Sequence, residues 1–258
     1  MNIVVCVKET FDSQTKIVLD SQGNIDKSDV QYVLNPYDEY AVEEAVSLKE
    51  KFGGTVKVVT ASAGDPTKVL QHCLAMGADD AVIISDTTLE QADAHVVALA
   101  LCRFLASTEF DLVFCGREAI DDGASEVPSR LAALLDLPQV NVVSGLEVEN
   151  DDIKAKRDIE GGTELISIPF PCLLSTQKDL NIPRYPPMRR ILMAKKKTIT
   201  RLSFSDLSIA AEESQPYVRV NEITLPEPRK PGEIFTGSTK ETVAKLVEVL
   251  KERTTICQ

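Results

Sequence analysis

The sequence predicts an α/β fold: a doubly wound parallel sheet with helices on both faces, a small antiparallel extension, and a C-terminal arm ending in a helix. Three observations carry this. Strand-like and helix-like periods alternate through residues 1–140, as β–α–β units require. The strand segments are nearly continuous apolar runs, the pattern of strands covered on both faces. From Gln139 the helical periods stop, and short strands separated by turn residues take over.

Taken in order, Ile3–Val7 reads as the first buried strand. Asn35-Pro36 opens a helix, with Asn35 as N-cap, Pro36 at the first helical position and Asp38 in the first turn. Its apolar stripe is Ala41, Val42, Ala45, Val46 and Leu48, and it closes at Gly53-Gly54. Thr55–Ala61 is the next strand, and Asp65-Pro66 starts a second helix that ends near Gly77. Ala81–Ser85 is a strand, Gln91–Leu105 a long apolar helix, Asp111–Cys115 a strand, and Ser125–Leu135 a helix. The stretch 139–176 reads as strand, turn at Asn150–Asp152, strand, turn at Gly161-Gly162, strand, and a final buried strand Cys172–Ser175. Residues 198–235 are polar and proline-rich and read as an extended arm. In the last element, Ser238 and Glu241 have capping-box spacing, and Val243, Leu246, Val247 and Leu250 make one helical stripe. Such a helix folds back on its own domain or packs on a partner.

Composition narrows the function. The 258 residues carry a net charge of −12, with 43% hydrophobic and 26% charged residues, ordinary for a globular chain. Acidity, the absence of Trp and an aromatic content of 5% argue against nucleic acid. No apolar run reaches the ~20 residues of a membrane span, and the start MNIVVCVKE lacks the pattern of a secretory leader. Six cysteines without CxxC or metal-like spacing read as buried thiols in a reducing, cytoplasmic setting. His72 and His95 lie in helical patterns, and no nucleophile elbow, P-loop, metal-binding His pair or GxGxxG fingerprint is present. The sequence offers no catalytic engine.

Two regions remain for function. Parallel sheets bind ligands at the carboxyl ends of their strands. The loops that fall there begin at Val7-Lys8, at Ala61–Gly64, at Gly116 and at Ser175, with Asn35–Asp38 opening a helix beside them. The loop Gly116–Gly123 is small and polar, and the helix behind it offers N–H groups to an anion. Alternatively, Asp121, Asp122 and Gly123 simply turn the chain and cap that helix. The second region is Asp179–Lys197, DLNIPRYPPMRRILMAKKK. Prolines stiffen it, an apolar run and basic residues give it grip, and in an acidic protein it reads as a docking surface.

The wording of that segment, NxPRY followed by AKKK, resembles the β-subunit of the electron-transfer flavoproteins. The resemblance extends to VVCVKETFD at 4–12, LNPYDEYAVEEA at 34–45, LAMGADDAV at 74–82 and DLVFCGREAIDDG at 111–123. Between Ala155 and Ser175, Arg157, Glu160, Gly161, Gly162, Glu164, Ile166, Pro171, Leu173, Leu174 and Ser175 fall at the spacing of the family signature. The implied fold is Rossmann-like, of the adenine-nucleotide-hydrolase-like kind. It assigns 1–197 to a nucleotide-binding domain with a docking loop at 179–193, and 198–258 to an arm and helix packing on a partner subunit.

The resemblance also implies ligands and partners. An α-subunit holds most of an FAD, with minor contacts from this chain near Phe11–Ser13. AMP occupies a pocket lined by Cys6, Asn35, Pro36, Tyr37, Asp38, Ala63, Ala119, Ile120, Asp121, Asp122, Gly123, Ala124, Ser125, Ser129 and Arg130. Acyl-CoA dehydrogenases dock on Arg184, Tyr185, Met188, Arg189, Arg190 and Ile191, with Met188 as apolar anchor, and electrons pass on to a membrane electron-transfer flavoprotein–quinone oxidoreductase. The sequence departs from the family at Glu126-Val127-Pro128, which stands where glutamine, a small or branched residue and glycine are usual. Arg189 and Arg190 add charge to the docking loop. A bifurcating branch of the family holds a second FAD in place of AMP and oxidises NADH. That branch tends to carry Asp-Asp-Lys after Asn-Pro, where this chain has Tyr37-Asp38-Glu39. Outside the family, a stand-alone ATP-binding stress or signalling domain has a similar architecture but little use for the arm. An ATP-pyrophosphatase would need a phosphate loop that VKETFD does not supply.

Overall fold

A computed structural model describes residues 1–149, 152–229 and 231–253. It comprises two compact units, Met1–Asn221 and Glu222–Gln258. In chain order, the elements are β1 (Asn2–Cys6), β2 (Glu9–Phe11), β3 (Tyr32–Leu34), α1 (Pro36–Phe52), β4 (Thr55–Ala61), α2 (Thr67–Met76), β5 (Asp80–Ile84), α3 (Ala94–Leu105), β6 (Leu112–Gly116), α4 (Val127–Leu134), β7 (Gln139–Glu149), β8 (Asp152–Ile159), β9 (Gly162–Pro169), β10 (Cys172–Thr176), α5 (Met188–Ala194), β11 (Thr200–Leu202) and α6 (Thr239–Arg253).

Among the described residues, nine strands form one sheet in the order β11-β5-β4-β1-β6-β10-β7-β8-β9. Pairing is parallel from β11 to β7, and β7–β8 and β8–β9 are antiparallel. This is the parallel sheet with an antiparallel extension that the sequence predicts. The continuous apolar runs have the expected cause. Ile3, Val5, Leu112, Phe114 and Leu174 pack under α1 and α2 on one face. Their strand neighbours Val4, Cys6, Val113, Cys115 and Leu173 pack under α3 and α4 on the other. Both residues of every alternating pair are buried, at ~1.5–3 kcal/mol for each large aliphatic side chain. On the extension, Arg157 and Glu164 face each other across β8 and β9 and pair at 2.6 Å.

Two short strands, β2 and β3, make a separate antiparallel ribbon that three-residue segments do not announce in sequence. A larger correction concerns the region after residue 197, expected to leave the domain as an arm. Instead β11 pairs with β5, the Ser85 N–H donates to the Leu202 carbonyl at 2.8 Å, and Phe204 and Ile209 are buried against the α3 face. Asp93, the N-cap of α3, also accepts the amides of Tyr217 and Val218 at 2.8 and 3.1 Å, and His95 stacks on Tyr217 at 4.4 Å. The first unit therefore runs to Asn221 rather than to 197.

In the second unit, α6 begins with one half of the expected capping box: the Ser238 N–H and Oγ both donate to Glu241 Oε2, at 2.9 and 2.8 Å, so Oγ is spent on the carboxylate. Val243, Leu246, Val247 and Leu250 lie along one stripe, each more than 40% exposed. The expected turn at Asn150–Asp152 lies partly outside the described residues, as does Cys257. Cys6, Cys73, Cys115 and Cys172 are buried free thiols and Cys102 is half-buried.

Candidate functional site

The strand order locates a crevice. After β1 the chain adds β4 and β5 on one side, then crosses to place β6 on the other. At such a switch point the loops leaving the carboxyl ends diverge and leave room for a ligand. Here the loops are Lys8 after β1, Ser62–Asp65 after β4, and Arg117–Glu126 after β6, with the first turn of α1 alongside.

The sequence assigned Asn35 to capping α1, but its side chain makes no capping bond. It crosses to the β6 loop: Nδ2 donates to Asp38 Oδ1 at 2.9 Å and to the Glu118 carbonyl at 2.8 Å, and Oδ1 accepts the Ile120 N–H at 3.2 Å. Asp38 is 4% exposed. It accepts the Lys8 N–H at 2.6 Å and the Gly116 N–H at 3.0 Å. Burial pushes its carboxyl up to about 7, against the pull of these donors and of Asn35. Gly116 is required for this approach, since a Cβ there would lie 2.2 Å from Asp38 Oδ1. Thr176 Oγ1, at the end of β10, donates to the Tyr37 carbonyl at 2.8 Å. The first turn of α1 is thus bolted to the ends of β1, β6 and β10.

Asp121 and Asp122 face one cation, which their adjacency in sequence does not suggest. Lys8 Nζ donates to both at 2.8 Å. Burial works against the Lys8 charge, but these bonds outweigh it and raise its pKa. Burial likewise opposes ionisation of Asp122, yet the Ala124 amide and Lys8 hold it below its ordinary value. The loop closes through the Gly123 N–H on the Ala119 carbonyl at 2.8 Å. Gly123 and Ser125 both take left-handed backbone, φ 61° and 55°, and Ser125 Oγ donates to Glu118 at 3.0 Å. Arg117 lies over the Tyr37 ring at 5.7 Å.

The departure at Glu126-Val127-Pro128 proves mild in geometry. The Glu126 carboxylate turns along the helix onto Arg130 at 2.6 Å rather than over its start. Pro128 occupies the first turn of α4, where a missing N–H breaks no intrahelical bond. The Val127 and Ser129 amides remain at that end. Ser129 Oγ accepts from Asn141 Nδ2 at 3.0 Å.

The predicted pocket residues therefore divide. Pro36, Tyr37, Ala63, Ala119, Ile120, Asp121, Asp122, Gly123, Ala124, Ser125, Ser129 and Arg130 sit in the loops and helix starts around the crevice. Asn35 and Asp38 are buried beneath it. Cys6 is a correction: its thiol lies in the core under α3 and α4 beside Cys115, so its side chain does not line the crevice. Lys8, outside the predicted set, joins these loops through its bonds to Asp121 and Asp122. A cleft of about 390 Å³ is lined by Tyr37, Ser144, Lys156, Asp158, Gln177, Lys178 and Asp179, sharing only Tyr37 with the predicted pocket.

The expected docking loop is in part a short helix, α5. Tyr185 and Met188 are 88% and 70% exposed, and Ile182, Leu192 and Met193 are exposed with them. Arg184 is a correction. Its guanidinium bonds Glu43 at 2.9 Å and Glu50 at 2.6 Å, and these bonds raise its pKa and lower that of Glu50. It holds the loop to α1 instead of facing outward. Arg190 donates to the Met76 carbonyl at 3.2 Å yet stays exposed, and Ile191 packs on the core, so of the predicted contacts Tyr185, Met188, Arg189 and Arg190 are exposed.

No group of three or more metal-ligating side chains occurs among the described residues, and no helix there is long and apolar enough to cross a membrane. The fold is that of a doubly wound α/β protein with loops gathered at its switch point and exposed apolar residues on the 182–193 segment. Residues 22–207 match the model of the electron transfer flavoprotein domain. The "Electron transfer flavoprotein subunit beta" of Bacillus subtilis is 39% identical over 97% of this chain and 98% of its own length. The "Caffeyl-CoA reductase-Etf complex subunit CarD" of Acetobacterium woodii is 33% identical over 98% and 99%, and the "Acryloyl-CoA reductase electron transfer subunit gamma" of Anaerotignum propionicum is 29% identical over the same shares. This chain belongs to the electron transfer flavoprotein family, on the beta-subunit side. It is accordingly a subunit of a flavin-based electron carrier and implies an alpha-subunit partner.

Proposed function

We propose that this chain pairs with an α-subunit, shares an FAD with it, and binds AMP in its own crevice as a structural ligand. The pair carries electrons from acyl-CoA dehydrogenases, which dock on the 179–193 segment, to a membrane electron-transfer flavoprotein–quinone oxidoreductase. It works in the cytoplasm, consistent with its free thiols. The bound flavin supplies the redox chemistry; the chain itself binds, orients and docks. Electron tunnelling needs proximity rather than an acid or base, which fits the sparse chemistry of the crevice.

The observation that carries the AMP assignment is the turned-aside Glu126. Its charge is neutralised by Arg130, leaving the first turn of α4 and the left-handed Gly123 and Ser125 to receive a phosphate. The docking assignment rests on Tyr185 and Met188, exposed on a loop pinned by Arg184. The exposed stripe of α6 is the surface assigned to the α-subunit.

A second reading has one observation in its favour, the likeness to the two CoA-reductase electron-transfer subunits. It is the bifurcating carrier, with a second FAD in the crevice and NADH as donor. Reconstituting the heterodimer and following flavin bleaching separates the two. The main reading expects reduction by an acyl-CoA dehydrogenase with its substrate and none by NADH alone. Rapid bleaching by NADH alone would reverse the assignment.

A further inference from the structure

Asn35 and Asp38 are buried and spend their polar atoms on one another and on the backbone of Lys8, Gly116, Glu118 and Ile120. We propose that they are positioning residues, which hold the Gly116–Glu126 loop in the shape that receives the nucleotide and do not themselves contact it. This rests on the crevice being the nucleotide site.

Their bonding is nearly exhausted internally. Asn35 has two N–H donors, and both are used, on Asp38 and on the Glu118 carbonyl. Its oxygen accepts the Ile120 amide. Asp38 takes three N–H groups, from Lys8, Gly116 and Asn35, out of about four acceptor positions on a carboxylate. Both residues are at most 4% exposed. Little remains for a ligand to bond.

What these bonds fix is specific. Glu118 and Ile120 flank Ala119, whose carbonyl accepts the Gly123 N–H and closes the loop. Clamping both neighbours of Ala119 sets the turn, and the turn sets where Ser125 and the start of α4 lie. At its other end the loop leaves from Gly116, whose amide is held by Asp38 and whose lack of a Cβ allows that contact. Other clasps on the loop lie at exposed positions: Ser125 on Glu118, the Ala124 N–H on Asp122, and Lys8 on Asp121 and Asp122. Without Asn35 the loop would keep its root at Gly116 and the exposed Lys8 ties to Asp121 and Asp122, but lose its buried anchor at Glu118 and Ile120. Hydrogen bonds to a ligand weaken steeply with misplacement, so a loosened loop would bind more weakly with no contact to the ligand removed.

The test uses the heterodimer with its α-subunit, stripped of adenine nucleotide and titrated with AMP by calorimetry, alongside amide exchange of the nucleotide-free complex. Asn35→Ala is expected to raise the AMP Kd roughly tenfold or more, the equivalent of one lost hydrogen bond. Exchange of the Gly116–Glu126 peptides should accelerate while the peptides of β1 and β6 stay protected. Asn35→Ser, which keeps one short polar group, should fall between, and serves if the alanine variant does not assemble. An unchanged Kd in both variants overturns the proposal, as does equal loss of protection across the whole sheet, which would mark a merely structural role. A wild-type complex that binds no adenine nucleotide overturns the crevice reading itself, and the proposal with it.

Discussion

Replacing Arg184 with alanine isolates the contact that fixes the docking segment to the domain. The guanidinium reaches Glu43 through Nε at 3.1 and 2.9 Å and through Nη2 at 2.9 Å, and Glu50 through Nη1 and Nη2 at 2.6 and 3.0 Å. The two carboxylates are unequal. The Glu50 side chain is 51% exposed and that of Glu43 only 8%, so the Glu50 half is worth ~0–1 kcal/mol. Truncation leaves Glu43 buried with only the residue-184 N–H at 3.0 Å and the Ser47 hydroxyl at 3.2 Å. Stranding a fully buried charge costs ~3–5 kcal/mol. With two donors retained, about 2–3 kcal/mol is expected, or a fall in Tm of about 5–10 °C for a domain of this size. A double-mutant cycle by thermal or denaturant unfolding gives the answer: Glu43→Gln in the Arg184→Ala background should recover part of the loss, because the stranded charge is gone. The lysine variant should recover little, since an ammonium cannot reproduce the fork. If Arg184→Ala costs under about 0.5 kcal/mol, or the two substitutions simply add, the pair is an ordinary surface contact and the docking segment is held by something else.

Three further predictions test separate parts of the account. Asp38 has a folded-state pKa of about 7 against an ordinary 3.8, so between those values the folded chain keeps a proton that the unfolded chain releases. That contribution to stability is largest near pH 4 and is lost as pH rises towards 7, by up to about 4 kcal/mol at ~1.4 kcal/mol per unit. Denaturation of Asp38→Asn over pH 4–8 should lack this slope, and parallel profiles would mean Asp38 is ionised throughout. Met188→Ala should slow reduction of the complex by an acyl-CoA dehydrogenase severalfold with FAD content intact; loss of FAD would make the segment structural. Removing residues from 236 onward should weaken association with the α-subunit in sedimentation velocity, and a stable flavin-loaded dimer without them would end the assigned role of α6.

Much of the scaffold was legible because its signals are local. The apolar stripe Ala41, Val42, Ala45, Val46 and Leu48 is buried, and the pure apolar runs are the parallel strands. What escaped depends on distant partners. Three-residue strands such as β11 carry no periodicity, and Phe204 and Ile209 are lone apolar residues in a polar stretch until the α3 face is beneath them. The crevice was legible by position, since strand ends are where ligands go in this architecture. The roles within it were not. Asn35 followed by Pro36 reads as a cap by every local rule, yet its partners Glu118 and Ile120 lie 83 and 85 residues away. Arg184 sits in a basic, proline-rich run that reads as exposed, yet its partners are 141 and 134 residues back on α1.

The most direct test of the central claim is the nucleotide content of the assembled carrier. The chain is purified with its α-subunit, the complex is denatured, and the released nucleotides are separated and quantified. The account predicts FAD and AMP in equal amounts, one of each per heterodimer. Two FAD and no AMP would contradict it, and would make NADH-driven bifurcation the function of this crevice.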